Sequence, residues 1–247
     1  MSTSNVKAAR RTLDMLELFS TRRVPLSLTE LASEIGAPKT SCFELLQTLK
    51  ARGYLYALGP RRGFYPTRRL LDHARIITDN DPVLKRLEPA LYHLSDSTDE
   101  TVILGKRQDD EIVYLQVIEG HQSIRYSAQA GDLKPLHSSA IGKAFLGQMT
   151  QDELDGLFRK SPLPQITSNT VTDQFQLLAE LERGRKLGYF VTRGENVADV
   201  TAVATILHIH GEPYGIAIAG PSARLDTGLE TVSAKLLSLK ETEEKGP

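Results

Sequence analysis

Residues 37 to 54 read APKTSCFELLQTLKARGY, a segment with a start, an apolar stripe, a polar face and a stop. Gly36-Ala37 breaks the chain ahead of it, and Pro38 falls where a first helical residue needs no N–H partner. Gly53 closes it, as glycine does where a chain leaves a helix. Spaced at about 100° per residue, Cys42, Leu45, Leu46 and Leu49 share one side, and Thr40, Glu44, Gln47 and Ala51 the other. Cys42 is the one cysteine, so no disulfide forms within a chain, and its position marks it as a small core residue.

Upstream, residues 7 to 21 carry Leu13, Leu16 and Phe19, with Met15 beside them, at helical spacing. Ser27-Leu28-Thr29-Glu30 matches a capping box and opens a short helix bearing Leu31, Ala32 and Ile35. Downstream, residues 54–58 and 64–66 read as strands around the turn Gly59-Pro60-Arg61-Arg62-Gly63. Three helices followed by a basic hairpin predict a winged helix-turn-helix over residues 1–66. Charge agrees with a nucleic-acid-facing module. Residues 1 to 80 hold 13 Lys and Arg against 7 Asp and Glu, whereas residues 81 to 247 hold 17 against 24.

A helical pattern over 67–80, with Leu70, Leu71, Ala74 and Ile77 among arginines, reads as a linker helix. A domain over 81–240 then begins with a helix from Pro82 to about residue 97, and a charged tail over 241–247 is expected to lack order. Strands are expected at 101–107, 112–119, 123–129, 189–192, 200–210 and 214–219, the last two joined by a turn at 211–213. Helices are expected at 139–149, 150–158, 173–187 and 229–240. Thr150 and Glu153 form a second capping box, and Gly188 is a stop. Hairpins with helices grouped between them predict an α+β domain with a largely antiparallel sheet.

In residues 131–144, GDLKPLHSSAIGKA, a loop with Pro135 and His137 enters a helix through Ser138 and Ser139. Free N–H groups at such a helix start attract a carboxylate or phosphate; the alternative is that a serine caps the helix while Gly142 permits close packing. A hydrolase site at His137 is disfavoured, because no G-x-S-x-G elbow is present and no acid is placed to orient the imidazole. A dinucleotide site lacks its G-x-G-x-x-G. His208 and His210 share a strand face, yet no third ligand lies near in sequence, so a structural pair is preferred to a metal site. No cofactor is expected. With no apolar run near 18 residues and no leader-like start, a cytoplasmic protein without a membrane span is expected.

Pro38-Lys39-Thr40-Ser41 leading to Leu45-Leu46-Gln47-Thr48-Leu49 and Gly53-Tyr54, then residues 136–144, Gly188-Tyr189, Glu195-Asn196 and Gly220-Pro221 with Arg224, stand in an order that resembles the IclR family of bacterial transcriptional regulators. The resemblance spans almost the whole chain. It implies a winged helix on DNA, a linker helix, and a GAF-like C-terminal effector-binding domain for a small organic or aromatic acid. It further implies homodimers, or tetramers built from them. On that basis Lys134, Leu136, Ser139, Ala140, Ile141, Thr201, Ala217 and Ala219 would bind the effector; Arg193, which stands where the family commonly has acids, would join the helix start in holding the carboxylate, or else form a surface ion pair. The family often has cysteine near Thr201 and serine at 217 and 219. Here a hydroxyl and two methyls suggest a less polar floor, suited to an aromatic or longer acid.

Double-stranded operator DNA would be met by Arg10, Arg11, Lys39, Arg61 and Arg62 on phosphates, and by Thr40, Ser41, Glu44 and Gln47 in the major groove. Glu44 departs from the basic residue usual at its position; it either accepts from cytosine N4 or pairs along the helix with a neighbour such as Gln47. The function expected is a ligand-responsive regulator, a repressor, of a catabolic operon. An enzyme acting on a small acid, with the N-terminal module only dimerising, is the alternative; a DNA-architectural protein without effector is a third reading.

Overall fold

In a computed structural model, which describes residues 6–59, 62–160 and 163–245, the capping box at Ser27 is closed: Ser27 N donates to the Glu30 carboxylate at 2.8 Å while Glu30 N donates to the Ser27 hydroxyl at 3.3 Å. Helices α1 (Lys7–Arg22), α2 (Leu28–Glu34) and α3 (Lys39–Ala51) enclose Met15, Leu31, Cys42 and Leu46, each 0% exposed. Burial of four such side chains contributes about 1.5–3 kcal/mol apiece for the larger ones. Strands β1 (Leu55–Ala57) and β2 (Phe64–Pro66) pair antiparallel, and Leu26 exchanges two backbone hydrogen bonds with Phe64, making a third, one-residue rung. Gly63 sits at φ +81° beneath that rung, where a Cβ would lie 2.6 Å from the Leu26 carbonyl.

Helix α4 (Arg69–Thr78) is tied to the end of α3. The Thr67 hydroxyl donates to the Gly53 carbonyl at 2.6 Å, and the Arg69 guanidinium lies 5.3 Å from the Tyr54 ring centroid. Two expectations shift in this unit. Pro38 is the N-cap, with ψ 138°, and Lys39 is the first helical residue, because proline holds extended backbone there readily. Leu13 is 58% exposed: the buried line of α1 is Met15 and Phe19, and Leu13 lies about 200° around from Met15.

The chain divides into units Met1–Asp81 and Pro82–Pro247. The second comprises α5 (Pro82–Thr98), β3 (Thr101–Gln108), β4 (Glu111–Ile118), β5 (Leu133–Pro135), α6 (Ala140–Leu146), α7 (Gln151–Lys160), α8 (Gln174–Leu187), β6 (Phe190–Arg193), β7 (Val200–Ile209), β8 (Glu212–Pro221), α9 (Ser222–Leu225) and α10 (Leu229–Lys245). The strands form one sheet, antiparallel throughout, in the order β5-β4-β3-β8-β7-β6. On one face, α6, α7 and α8 pack over Ile103, Ile112, Ala204 and Ala217. On the other, α5, α9 and α10 pack over Val102, Leu104, Val203 and Ile216. All seven residues of α6 are buried, as an apolar helix under a sheet requires, and Gly142 faces the Leu136 carbonyl oxygen where a Cβ would come within 2.2 Å.

Residues 123–129 form no strand. Tyr126 instead gives its carbonyl to the Thr101 hydroxyl, and the partner of β4 is β5. The β7–β8 turn is only His210-Gly211, with φ 52° and 82°; Glu212 and Pro213 already belong to β8. Two positive-φ residues match strand twist, which a longer turn would not. His210 is therefore a turn residue, and the ring of His208 meets the Glu244 carboxylate at 3.2 Å, so the two histidines form no ligand pair. Helix α6 ends at Leu146, short of 149. Helix α10 continues to Lys245, where a disordered tail is expected from 241, because Glu243 and Glu244 find partners in Arg86 and His208.

Phe190 carries its ring between α6 and α8: a Cβ on Gly184 would lie 2.3 Å from it, and one on Gly147 2.1 Å. Gly184→Ala gains about 1 kcal/mol of helix propensity but overpacks the core by about 1–3 kcal/mol. Urea unfolding of the full chain should show a net loss of up to about 2 kcal/mol. In the Phe190→Leu background the added methyl should cost nothing measurable; strictly additive losses would refute the ring overlap.

Candidate functional site

Helix α3 presents Lys39, Thr40, Glu44 and Gln47 to solvent while Cys42, Leu46 and Leu49 hold it to the core. Ser41 is half-buried. The Glu44 carboxylate makes no ion pair or side-chain hydrogen bond with Gln47 or another described residue; its backbone carbonyl accepts from Thr48. Arg10 is exposed on α1, Arg11 half-buried beside it, and Arg62 exposed in the hairpin turn. Arg61 lies outside the described residues. An exposed helix face of this size, set by a capped α2 and a Gly-terminated end, has the geometry of a helix that enters a major groove.

In the second unit, a small cavity opens between α6 and the sheet. Its floor is Ala202, Ala217 and Ala219, with Ile103 opposite Ala217 in the strand register. Ser139, Ala140 and Ile141 at the start of α6 form one wall, and Asn196, Val197 and Val200 of the β6–β7 loop another. Tyr114, Tyr126 and Thr192 complete it. Among the described residues, no charged side chain lines this space. Burial above all, with Tyr126 and Asp132 adding to it, pushes the Tyr114 phenol far above its usual range. It therefore remains an O–H donor at any physiological pH.

The polar groups of the α6 entrance are largely used internally. Ser139 accepts from Gly142 N at 3.1 Å and donates to the Pro135 carbonyl at 2.7 Å, so it caps the helix. Ser138 accepts from the Asn196 amide at 3.2 Å. His137 donates from Nε2 to the Pro164 carbonyl at 2.9 Å, and its ring makes no hydrogen bond to either serine among the described residues.

Of the nine positions expected to meet an effector, Ser139, Ala140, Ile141, Ala217 and Ala219 come together on the cavity. Four do not. Arg193 and Thr201 are cross-strand partners on the opposite face of the sheet, where both reach Asp226 Oδ1 at 3.1 Å; Arg193 forms the surface ion pair. Strand side chains alternate, so a shift of one residue, to Thr192 and Ala202, gives the positions that line the cavity. Leu136 is buried in the core under α6. Lys134 pairs with Asp132 at 3.2 Å and lies 5.6 Å from the Tyr114 ring centroid, behind the cavity wall. Tyr114, Tyr126 and Thr192 carry no motif; only the parity they share with core neighbours such as Ile112 and Phe190 signals them.

Next to this cavity, Lys143 is 1% exposed and its ammonium meets Glu195 at 2.6 and 2.7 Å and Glu180 at 2.6 Å. Burial pushes the Glu195 carboxyl up against the opposing pull of Lys143. Among the described residues, no cluster of three or more His, Cys, Asp or Glu is arranged to hold a metal ion, and no helix is long and apolar enough to cross a membrane.

A family model described as the bacterial transcriptional regulator IclR C-terminal region matches residues 76–241, and one for the IclR helix-turn-helix domain matches residues 8–59. The chain belongs to the IclR family of bacterial transcriptional regulators. It is 29% identical over 227 residues to the HTH-type transcriptional regulator KipR of Bacillus subtilis, covering 88% of this chain and 87% of that one. It is 27% identical over 227 residues to the acetate operon repressor of Salmonella typhimurium, covering 90% and 83%. The solved IclR of Thermotoga maritima superposes with a TM-score of 0.79 at 24% identity, over 96% of this chain and 97% of that one. An IclR homolog of Microbacterium hydrocarbonoxydans, solved in complex with 4-hydroxybenzoate, gives 0.73 at 18% identity, over 95% and 98%. The relatives are transcriptional regulators and not enzymes, and this chain is a ligand-responsive regulator of the same type.

Burial first, with the charge of Lys143, lowers the His137 pKa below the ordinary 6.5, against the hydrogen bond to Pro164 that raises it. The unfolded chain thus takes up the His137 proton before the folded one does. Stability from keeping this imidazole neutral is fully present above pH 6.5 and is lost as pH falls through the lower folded value. Thermal melts of the wild type should decline on acidification from pH 6.5 to 5, and His137→Gln should decline less steeply. Parallel curves would show that His137 carries no part of the acid sensitivity.

Proposed function

We propose that this regulator is a cytoplasmic repressor of a catabolic operon, that two copies bind a two-fold operator, and that the cavity under α6 takes a small aromatic carboxylic acid. The observation that carries the ligand class is the cavity itself: a floor of methyl groups, two tyrosines and no charged side chain among the described residues. A ring is favoured by apolar area and by aromatic edges, at about 25 cal/mol per Å² of apolar surface buried. The carboxylate would be held by neutral donors, with the Tyr114 hydroxyl and Asn196 beside the α6 entrance the foremost. A two-carbon acid leaves most of this surface unused. The 4-hydroxybenzoate complex of the Microbacterium homolog supports the same class. Differential affinity of the acid for two states of the regulator sets how far DNA affinity changes.

Isothermal titration of the purified chain should show 4-hydroxybenzoate and benzoate binding more tightly than acetate, and Tyr114→Phe weakening the first by about tenfold, the worth of one well-made hydrogen bond. Preference for acetate sinks the aromatic reading.

On the DNA side, Lys39, Arg10, Arg11, Arg61 and Arg62 would neutralise phosphates, and Thr40, Ser41, Glu44 and Gln47 would address base edges. Glu44, exposed and unpaired along its helix, accepts from cytosine N4 in this reading. Against a panel of single-base operator variants, Glu44→Ala should relax discrimination at one C·G pair per half-site by about 1–3 kcal/mol while affinity for random DNA holds or rises. A base preference unchanged at every position places Glu44 on the solvated surface.

A further inference from the structure

We infer that Lys143 is a positioning residue for the effector cavity: its buried ammonium joins the helix that forms one wall to the loop that forms another, and so sets the distance between them. This rests on the cavity being the effector site. Lys143 stands one turn beyond Ser139, Ala140 and Ile141, which line the cavity from α6. It donates to both oxygens of Glu195, at 2.7 and 2.6 Å, and Glu195 immediately precedes the lining residues Asn196 and Val197. Its third donor meets Glu180 of α8 at 2.6 Å.

The loop is held at the same point from the other side. The Thr170 hydroxyl donates to the Glu195 carbonyl at 2.7 Å, and the Thr167 hydroxyl to the Gly194 carbonyl at 2.6 Å. Asn196 in turn donates to Ser138, next to the helix cap. The backbone at Glu195 is thus fixed by threonines and its carboxylate by Lys143, so that Asn196 faces the start of α6. The loop needs such ties because it turns through positive φ at Gly194 and Asp199, and its exposed members add little apolar burial of their own.

Stability alone does not account for this cluster. Replacing a buried ion pair by apolar side chains of similar volume is often neutral or stabilising, whereas removing one partner strands the other charge. What the ions supply and an apolar pair lacks is direction: a carboxylate placed by two hydrogen bonds puts the next residue at one position. The buried Lys143 therefore acts on the ligand through Asn196 and Val197, without touching it.

The difference between structural and positioning roles is testable in the full chain. Lys143→Met alone leaves two carboxylates facing one another and is expected to melt well below the wild type. The double variant Lys143→Met, Glu195→Met removes that repulsion and should melt close to the wild type. It should nonetheless bind 4-hydroxybenzoate about tenfold more weakly, and amides of residues 194–200 should exchange with deuterium about tenfold faster, with the strands β3 and β8 unchanged. Glu195→Gln, which keeps the volume and one acceptor, should change both in the same direction but less. Wild-type exchange at 194–200 in the double variant, or in Glu195→Gln should the double variant fail to fold, overturns the inference; so does faster exchange with undiminished binding. If the wild type binds no aromatic acid, the ligand class proposed above fails, and the exchange measurement still decides the role of Lys143.

Discussion

The C-terminal sheet is covered on both faces, and its central strands must therefore send apolar side chains in both directions at every step. β8 is buried from Tyr214 to Gly220 without interruption, and β7 from Val203 to Leu207. Everything else in the unit follows from how that alternation is partitioned. Ile216 and Ile218 meet α10 and α5, while Ala217 and Ala219 meet the space below α6. The large side chains fill one layer. The small ones on the other layer leave room, and the room is the cavity.

The same constraint explains which features were legible beforehand. Helix starts and stops carry local chemistry, so the boxes at Ser27 and Thr150 and the glycine stop at Gly188 could be read from a few residues each. Strand parity in a sheet buried on both sides leaves no alternation of polar and apolar residues to read. Thr201, expected at the cavity from the family resemblance, and Arg193, expected there as a carboxylate partner, lie on the other face, and their neighbours Ala202 and Thr192 line the cavity. Residues 123–129 have the composition of a strand, but their hydrogen bonds go to the side chain of Thr101 and to turns, which no local pattern announces. The persistence of α10 to Lys245 depends on Arg86 and His208, partners more than thirty residues away in sequence.

The two units draw on different physics. In the N-terminal one a small apolar core fixes three helices and leaves a polar helix face outward, where specificity is a matter of which donors and acceptors project. In the C-terminal one, charges are drawn inside. Glu100 is nearly buried and is met bidentately by Arg224 at 2.8 and 3.0 Å, with Gly220 beneath it because a Cβ there would lie 2.2 Å from the carboxylate. Arg224 also donates to the Ile124 carbonyl at 2.9 Å, two residues before Tyr126. Such ties are directional where van der Waals packing is not, and they sit around the cavity more than within it.

Ala202 stands opposite Ala219 in the ladder between β7 and β8, and Ala204 opposite Ala217. Two rungs separated by the Val203–Ile218 pair thus carry only methyl groups on the face toward α6, on strands whose backbone positions are set by hydrogen bonds to both neighbours. The depth of the cavity is consequently written in the number of heavy atoms beyond Cβ at Ala202, Ala217 and Ala219, the three of these that form its floor. Lengthening a single side chain here would reshape the cavity without altering the strand ladder that carries it.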